Sequence, residues 1–157
     1  MSTEWMRDYL KYDSLSWDAI EQDDELPTLV REVDATLVVV GAIASRDMYP
    51  VHHDREFAQR AGAPDVFMNI LTTNGLMATY VTNWCGHGWD LASNSLRLMV
   101  PNFPGTKMTA SGRVARKWSD DGGRYVEISF SADNDRGPHC TGSAIIREAA
   151  SEDRSAA

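Results

Sequence analysis

The apolar positions fall into blocks of different spacing. From Trp5 to Val33 they are scattered (Trp5, Met6, Leu10, Leu15, Trp17, Ile20, Leu26, Leu29, Val30), with a polar break at Asp23-Asp24-Glu25. That mixture predicts one or two short helices, with Pro27 in a first turn or just ahead of one. Two tryptophans exceed what a solvated tail needs, so the segment is expected to pack on something. Thr36–Ala44 is rich in β-branched residues and ends in a polar loop, the pattern of a buried strand. Beyond Pro50, Asp54 is placed to cap a short helix carrying Glu56, Phe57, Ala58 and Arg60, stopped by Gly62 and Pro64. A longer helix is expected from about Asn69 to Trp84, with Leu71, Leu76, Met77, Tyr80, Val81 and Trp84 as candidate core contacts. It carries no charged side chain, which predicts wrapping on several sides.

Strand character follows in Leu91–Val100, Lys107–Trp118, Arg124–Ala132 and His139–Arg147. Met108, Ala110, Gly112 and Val114 share one face of the second run, and Val126, Ile128 and Phe130 oppose Tyr125, Glu127 and Ser129 in the third. Turn signals at Pro101–Gly105, Asp120–Gly123 and Asp133–Pro138 separate them. The order is strand, helix, helix, then an antiparallel meander, which wants the apolar helix inside a curved sheet. This is an α+β, hot-dog arrangement over residues 35–148. Residues 1–34 read as an acidic, partly helical extension, and 149–157 as a frayed Ala/Ser-rich tail.

Composition agrees with one globular domain: of 157 residues, 43% are hydrophobic and 24% charged. A net charge of −8 argues against a nucleic-acid backbone as the main partner. Residues 1–34 hold ten acids against three bases, so the main body is nearly neutral. The N-terminus is acidic and lacks the apolar stretch of a secretory signal. The longest uncharged stretch, Val66 to Trp89, is interrupted by Asn, Thr and His, which favours a buried helix over a membrane span. Cys85 and Cys140 have no metal-type spacing and read as free thiols. A cytoplasmic location is expected.

Candidate chemistry centres on Arg46-Asp47-Met48-Tyr49-Pro50-Val51-His52-His53-Asp54. Asp47 and His52, five positions apart in a loop between regular elements, are placed to converge on one water. Such a pair can divide the hydration of a polarised double bond, each group supplying roughly 10²–10⁴-fold. Charge gathering on a thioester oxygen needs a donor, and the backbone N–H groups near Asn69-Ile70-Leu71 are free at a helix start. His52-His53-Asp54 has the composition of a facial metal triad, but adjacent side chains diverge, so no metal is expected. Asp54 reads as a cap and His53 as a surface or interface residue. Asn69 and Asn74 either orient substrate or bond neighbouring backbone. Trp84 and Trp89 read as core or interface aromatics, with pocket lining the other role weighed. Arg97, Arg113, Arg116 and Lys117 are cations suited to phosphate groups of a ligand or simply exposed strand residues.

Asp47-x-x-Pro50-x-His52-x-Asp54, followed by Phe57-Ala58, resembles the hydratase motif of the MaoC-like (R)-specific enoyl-CoA hydratases. The similarity runs from about Thr36 to Arg147. Within the family, Arg46-Asp47, Val51-His52-His53-Asp54-Arg55, Asn69-Ile70-Leu71-Thr72, Gly75-Leu76 and Tyr80-Val81-Thr82-x-Trp84 are most similar to the small MaoC-like subunits of bacterial steroid side-chain hydratases. The resemblance implies a hot-dog fold, addition of water to a 2-enoyl-CoA bearing a bulky acyl group, and no metal or redox cofactor. It also implies a second hot-dog chain as partner, forming a double hot-dog. The family's catalytic aspartate and histidine fall on Asp47 and His52, and its substrate-binding helix start on Asn69, Ile70 and Leu71. Most members carry His-Gly where this chain has Asn69-Ile70. The alternatives are a dehydratase acting on carrier-protein-linked 3-hydroxyacyl groups, a non-catalytic hot-dog subunit, and a thioester hydrolase.

Overall fold

The computed structural model describes residues 14–149. Its sheet begins earlier than the hydrophobic pattern predicts. Glu25–Glu32 is β1, an edge strand paired antiparallel with β3 (Lys107–Asp120), not a helix. Pro27 fits here because an edge strand or bulge tolerates a residue with no N–H, and the register slips between Leu26 and Leu29. The expected start of the sheet domain at residue 35 therefore moves upstream. Ile20 and Leu26 are buried, and Trp17, in a 3-10 turn over Trp17–Ala19, stacks on Trp89 with ring centroids 6.4 Å apart. Residues 1–13 and 150–157, which hold the start of the expected extension and nearly all of the expected tail, lie outside the described residues.

The second correction concerns Thr36–Ala44. These residues belong to a helix, α1 (Ala35–Ala44), rather than a strand. Asp34 caps it, its Oδ1 accepting from the Leu37 N–H at 2.6 Å. Val38 and Ala42, four residues apart, form its buried pair. Strand propensity depends on context, and here a cap plus a helical pair packed into the core outweighs it.

Helices α2 (Arg55–Arg60) and α3 (Ile70–Cys85) fall where expected. Asp54 caps α2, accepting from the Phe57 N–H at 2.9 Å. Thr73, Met77, Tyr80, Val81 and Cys85 make one buried stripe on α3. They share a core with Met108, Ala110 and Val114 of β3 and with Val126, Ile128 and Phe130 of β4 (Gly123–Asn134). The helix is not wrapped on several sides, however. Leu71 is exposed, and Leu76 and Trp84 are only partly buried. Its lack of charge thus leaves an open, uncharged face.

The five strands run in the order β1-β3-β4-β5-β2, with β2 at Trp89–Leu98 and β5 at Gly137–Glu148. The β3-β4-β5 segment is the expected meander. Strand β2 departs from it, pairing with β5 and forming the far edge. A curved antiparallel sheet around one long helix is the hot-dog fold. Among the described residues no helix is long and apolar enough to cross a membrane. Cys85 and Cys140 are buried free thiols, pushed by burial to pKa values of about 12 and about 11, so neither is poised as a nucleophile.

Candidate active site

The site is assembled where α1 ends, a 3-10 turn follows, and α3 begins. Arg46 closes α1 in the left-handed region, with φ at 57°. Its N–H donates to the Ile43 carbonyl at 3.0 Å and that of Asp47 to the Ala42 carbonyl at 2.9 Å, the bond pair of a Schellman end. This reversal turns Asp47 away from the helix axis. Gly41 lets α1 approach the first turn of α3, since a Cβ there would overlap the Thr72 side chain.

His52 ends the 3-10 turn Pro50–His52, whose first position suits proline's fixed φ. The residue is 7% exposed. Its Nδ1 lies 2.7 Å from the Phe67 carbonyl oxygen. A carbonyl only accepts, so Nδ1 carries the hydrogen and Nε2 is the nitrogen turned to the site. That Nε2 faces Asp47 Oδ2 at 3.3 Å. Tyr49 and Phe67 stand edge-on to the imidazole, with centroids 6.5 and 5.1 Å away.

Asp47 is held from two other directions. Oδ2 accepts from Asn69 Nδ2 at 3.0 Å, and Oδ1 accepts from the Tyr49 N–H at 3.3 Å. The Asn69 bond holds the carboxyl below its ordinary range against the opposing cost of burial, with smaller help from the Tyr49 amide and the His52 ring. The result is an ionised carboxylate beside the Nε2 side of the imidazole. At 3.3 Å the two atoms are in direct polar contact and can pass a proton or touch one water from the same side.

Three residues singled out in the sequence thus meet: Asp47, His52 and Asn69. Asn69 is the N-cap of α3, its Oδ1 accepting from the Thr72 N–H at 2.9 Å. The Ile70 and Leu71 amides sit in the first turn, where helix geometry supplies no acceptor, and their side chains are about half exposed. Asn74 goes elsewhere: Asn94 Nδ2 donates to its backbone carbonyl at 3.1 Å and also to its Oδ1, tying α3 to β2. His53 is exposed, with Nε2 3.2 Å from the Met48 carbonyl. Arg113 pairs with Asp23, Arg116 pairs with Glu127, and Lys117 Nζ donates to the Ile20 carbonyl. Trp89 is a core residue whose Nε1 donates to the Leu15 carbonyl at 2.8 Å. Trp84 lines an apolar groove of about 370 Å³ between β1 and the later turns of α3, with Leu29, Leu76 and Tyr80. Among the described residues, no three His, Cys, Asp or Glu side chains gather as a metal site.

Sequence reasoning missed several supports. Ser45 Oγ donates to the Gly41 carbonyl at 2.7 Å and accepts from Asn69 Nδ2 at 2.8 Å. Phe67 acts through its backbone carbonyl, which leaves no mark on the sequence. His139 is fully buried, with Nδ1 2.7 Å from the Val100 carbonyl and Nε2 3.0 Å from Thr73 Oγ1. It ties β5 to the first turn of α3.

A family model described as a MaoC-like domain matches residues 21–134. The chain belongs to the MaoC-like domain family. It is 40% identical over 116 residues to the 3-oxo-4,17-pregnadiene-20-carboxyl-CoA hydratase beta subunit of Mycobacterium tuberculosis, a match covering 74% of this chain and 87% of that protein. A chain of the ChsH1–ChsH2 complex from Mycobacterium tuberculosis superposes with a TM-score of 0.76 at 36% identity, over 82% of this chain and 98% of that one. An (R)-hydratase from A. caviae involved in PHA biosynthesis has a TM-score of 0.73 at 20% identity, over 83% of this chain and 98% of its own, a likeness of fold alone. This MaoC-like chain starts its matched region inside the segment read as an extension, in keeping with β1.

Proposed function

We propose that this chain is the catalytic subunit of an enoyl-CoA hydratase. It adds water reversibly to a trans-2-enoyl thioester with a bulky, steroid-type acyl group. The observation that carries the proposal is the 3.3 Å approach of His52 Nε2 to Asp47 Oδ2, with Nδ1 pinned to Phe67. The pair binds one water alongside Oδ2 and Nε2. As the water oxygen bonds to C3 of the enoyl group, the pair takes one proton from it. The pair then returns one proton to C2, so it ends the cycle as it began. The free amides of Ile70 and Leu71 stabilise the negative charge that builds on the thioester oxygen. These steps use side chains and backbone alone, with no metal or redox cofactor.

The acyl group and the partner are argued from the rim. Met48 and Tyr49 lie between the pair in sequence, Ile70 and Leu71 follow Asn69, and all four stay about half exposed, while the Asp47 side chain keeps 25% of its surface. A thioester reacting there gains from cover, because excluding water strengthens each polar contact. A second hot-dog chain, completing a double hot-dog, supplies that cover and meets the uncharged face of α3. The hydratase beta subunit and the two-component complex among the relatives support this reading, as does the steroid acyl group in that relative's name. A purely architectural subunit has no use for an ionised carboxylate aimed at an imidazole.

The test is a hydration assay with enoyl-CoA esters of increasing acyl bulk, run with the chain alone and with a co-expressed second hot-dog chain. Turnover should rise with bulk and with the partner. The same acyl groups on a carrier protein separate the dehydratase alternative. No hydration of any CoA ester in either arm would reject the proposal.

A further inference from the structure

Asn69 has no hydrogen left for a substrate. A side-chain amide offers two N–H bonds and one carbonyl oxygen. Here Nδ2 donates to Ser45 Oγ at 2.8 Å and to Asp47 Oδ2 at 3.0 Å, while Oδ1 accepts from the Thr72 N–H at 2.9 Å. Its surroundings fix the orientation. The Thr72 N–H needs an acceptor, and the Ser45 hydroxyl spends its own hydrogen on the Gly41 carbonyl, so the nitrogen must face Ser45 and Asp47. The residue is 2% exposed.

We infer that Asn69 is a positioning residue for the reacting pair and not a ligand of the acyl thioester: it turns the Asp47 carboxylate so that Oδ2 meets His52 Nε2. The inference rests on reading Asp47 and His52 as that pair. The same bond is the largest influence holding the Asp47 carboxyl below its ordinary range. The groups around Asp47 are few. His52 faces it from the 3-10 turn, the Tyr49 N–H comes from its own loop, and only the Asn69 amide comes from α3. Ser45, at the end of α1, reaches it through Asn69. Among the described residues, no Lys or Arg is ion-paired with it. One neutral amide therefore aims the carboxylate and favours its ionised form.

The same node links the pair to the fold. Thr73 N–H donates to the Asn69 carbonyl at 3.2 Å, and Thr73 Oγ1 meets His139 Nε2. Asn69 is thereby fixed to α3 on one side and to the end of α1 on the other. It has little freedom to swing toward a ligand.

The test compares Asn69→Asp and Asn69→Ala with wild type, in the full chain together with its partner where activity needs one. Asn69→Asp keeps the size and the cap acceptor for the Thr72 N–H, but it loses the two donated hydrogens and sets a second carboxylate against Asp47 Oδ2. Asn69→Ala is therefore the variant that isolates the lost amide. Both variants should lower kcat by about 10- to 100-fold, the scale of a misplaced reacting group, with KM within about two-fold. In Asn69→Ala, the Asp47 carboxyl resonance should titrate at higher pH than in wild type. A rise in KM with kcat and the Asp47 titration unmoved would make Asn69 a substrate ligand and overturn the inference. A loss of activity that follows the unfolded fraction, with that titration unmoved, would make it a structural cap and overturn it equally. Asp47→Asn, assayed alongside, isolates the underlying premise: if it turns over normally, the pair itself is misassigned.

Discussion

Nε2 of His52 faces Oδ2 of Asp47 at 3.3 Å, and the two side chains are braced by different elements. The Phe67 carbonyl, ahead of α3, holds the imidazole, while the Schellman end of α1 and the Asn69 amide hold the carboxylate. Under the proposed hydration mechanism the two groups act as a unit on one water. Asp47→Asn and His52→Ala should each cut hydration by at least ~10²-fold. The double variant should lose little more than the weaker single, as in other coupled catalytic sets. Initial rates across the cycle decide it. Losses that multiply would mean that the two groups serve separate steps.

Arg46 holds Asp47 in place through an unusual backbone conformation. A non-glycine residue with φ at 57° carries a cost of roughly 1–2 kcal/mol, greatest for β-branched side chains. Arg46→Gly should leave urea stability and turnover close to wild type. Arg46→Val should unfold at lower urea and lose activity, because the turn that aims Asp47 must distort. A valine variant matching wild type in both measurements would show that the loop adapts freely.

Gly41 opposes the usual helix ranking. Alanine in a helix interior normally gains about 1 kcal/mol over glycine. At Gly41 the added methyl would overlap the Thr72 side chain, and strain of that kind costs about 1–3 kcal/mol. Gly41→Ala should therefore destabilise, and Gly41→Ala with Thr72→Ala should recover much of the loss. Urea midpoints of the two singles and the double measure the coupling. If Gly41→Ala is more stable than wild type, α1 and α3 separate without penalty.

What the sequence disclosed follows from the range of each interaction. Asp47 and His52 were legible because they lie within six residues and carry side-chain chemistry. Strand β4 and the first half of β3 were legible because burial alternates along them, with Met108, Ala110 and Val114, then Val126, Ile128 and Phe130, facing the core. Helix α1 was misread because Val38, Val39 and Val40 look like a strand until the Asp34 cap and the Val38–Ala42 pair are weighed. β1 was misread because Pro27 resembles a helix start, and nothing local reveals an edge position. Asn69 was singled out, but its work was not legible. Its partners Ser45 and Asp47 lie 24 and 22 residues away, and they meet it only because Gly41 lets two helices touch.

His139 makes stability depend on acid. Its ring is buried between the Val100 carbonyl and Thr73 Oγ1, and burial lowers its pKa below the ordinary value of 6.5, against a smaller opposing pull from the Val100 carbonyl. The sign follows from proton counting. As pH falls below about 6.5, the unfolded chain binds a proton that the folded chain refuses, so folding loses free energy. The contribution is complete above that pH and declines towards the folded pKa, by at most about 1.4 kcal/mol per pH unit for one proton. His139→Gln removes the titrating group while keeping polar atoms for Val100 and Thr73. Its stability at neutral pH should be lower, yet its slope between pH 7 and pH 5 should be flatter than that of wild type. His52, His53 and His87 are present in both proteins, so the difference in slope isolates His139. Parallel urea midpoints across that range would mean that the histidine accepts a proton in the folded state, with Thr73 Oγ1 receiving the new N–H.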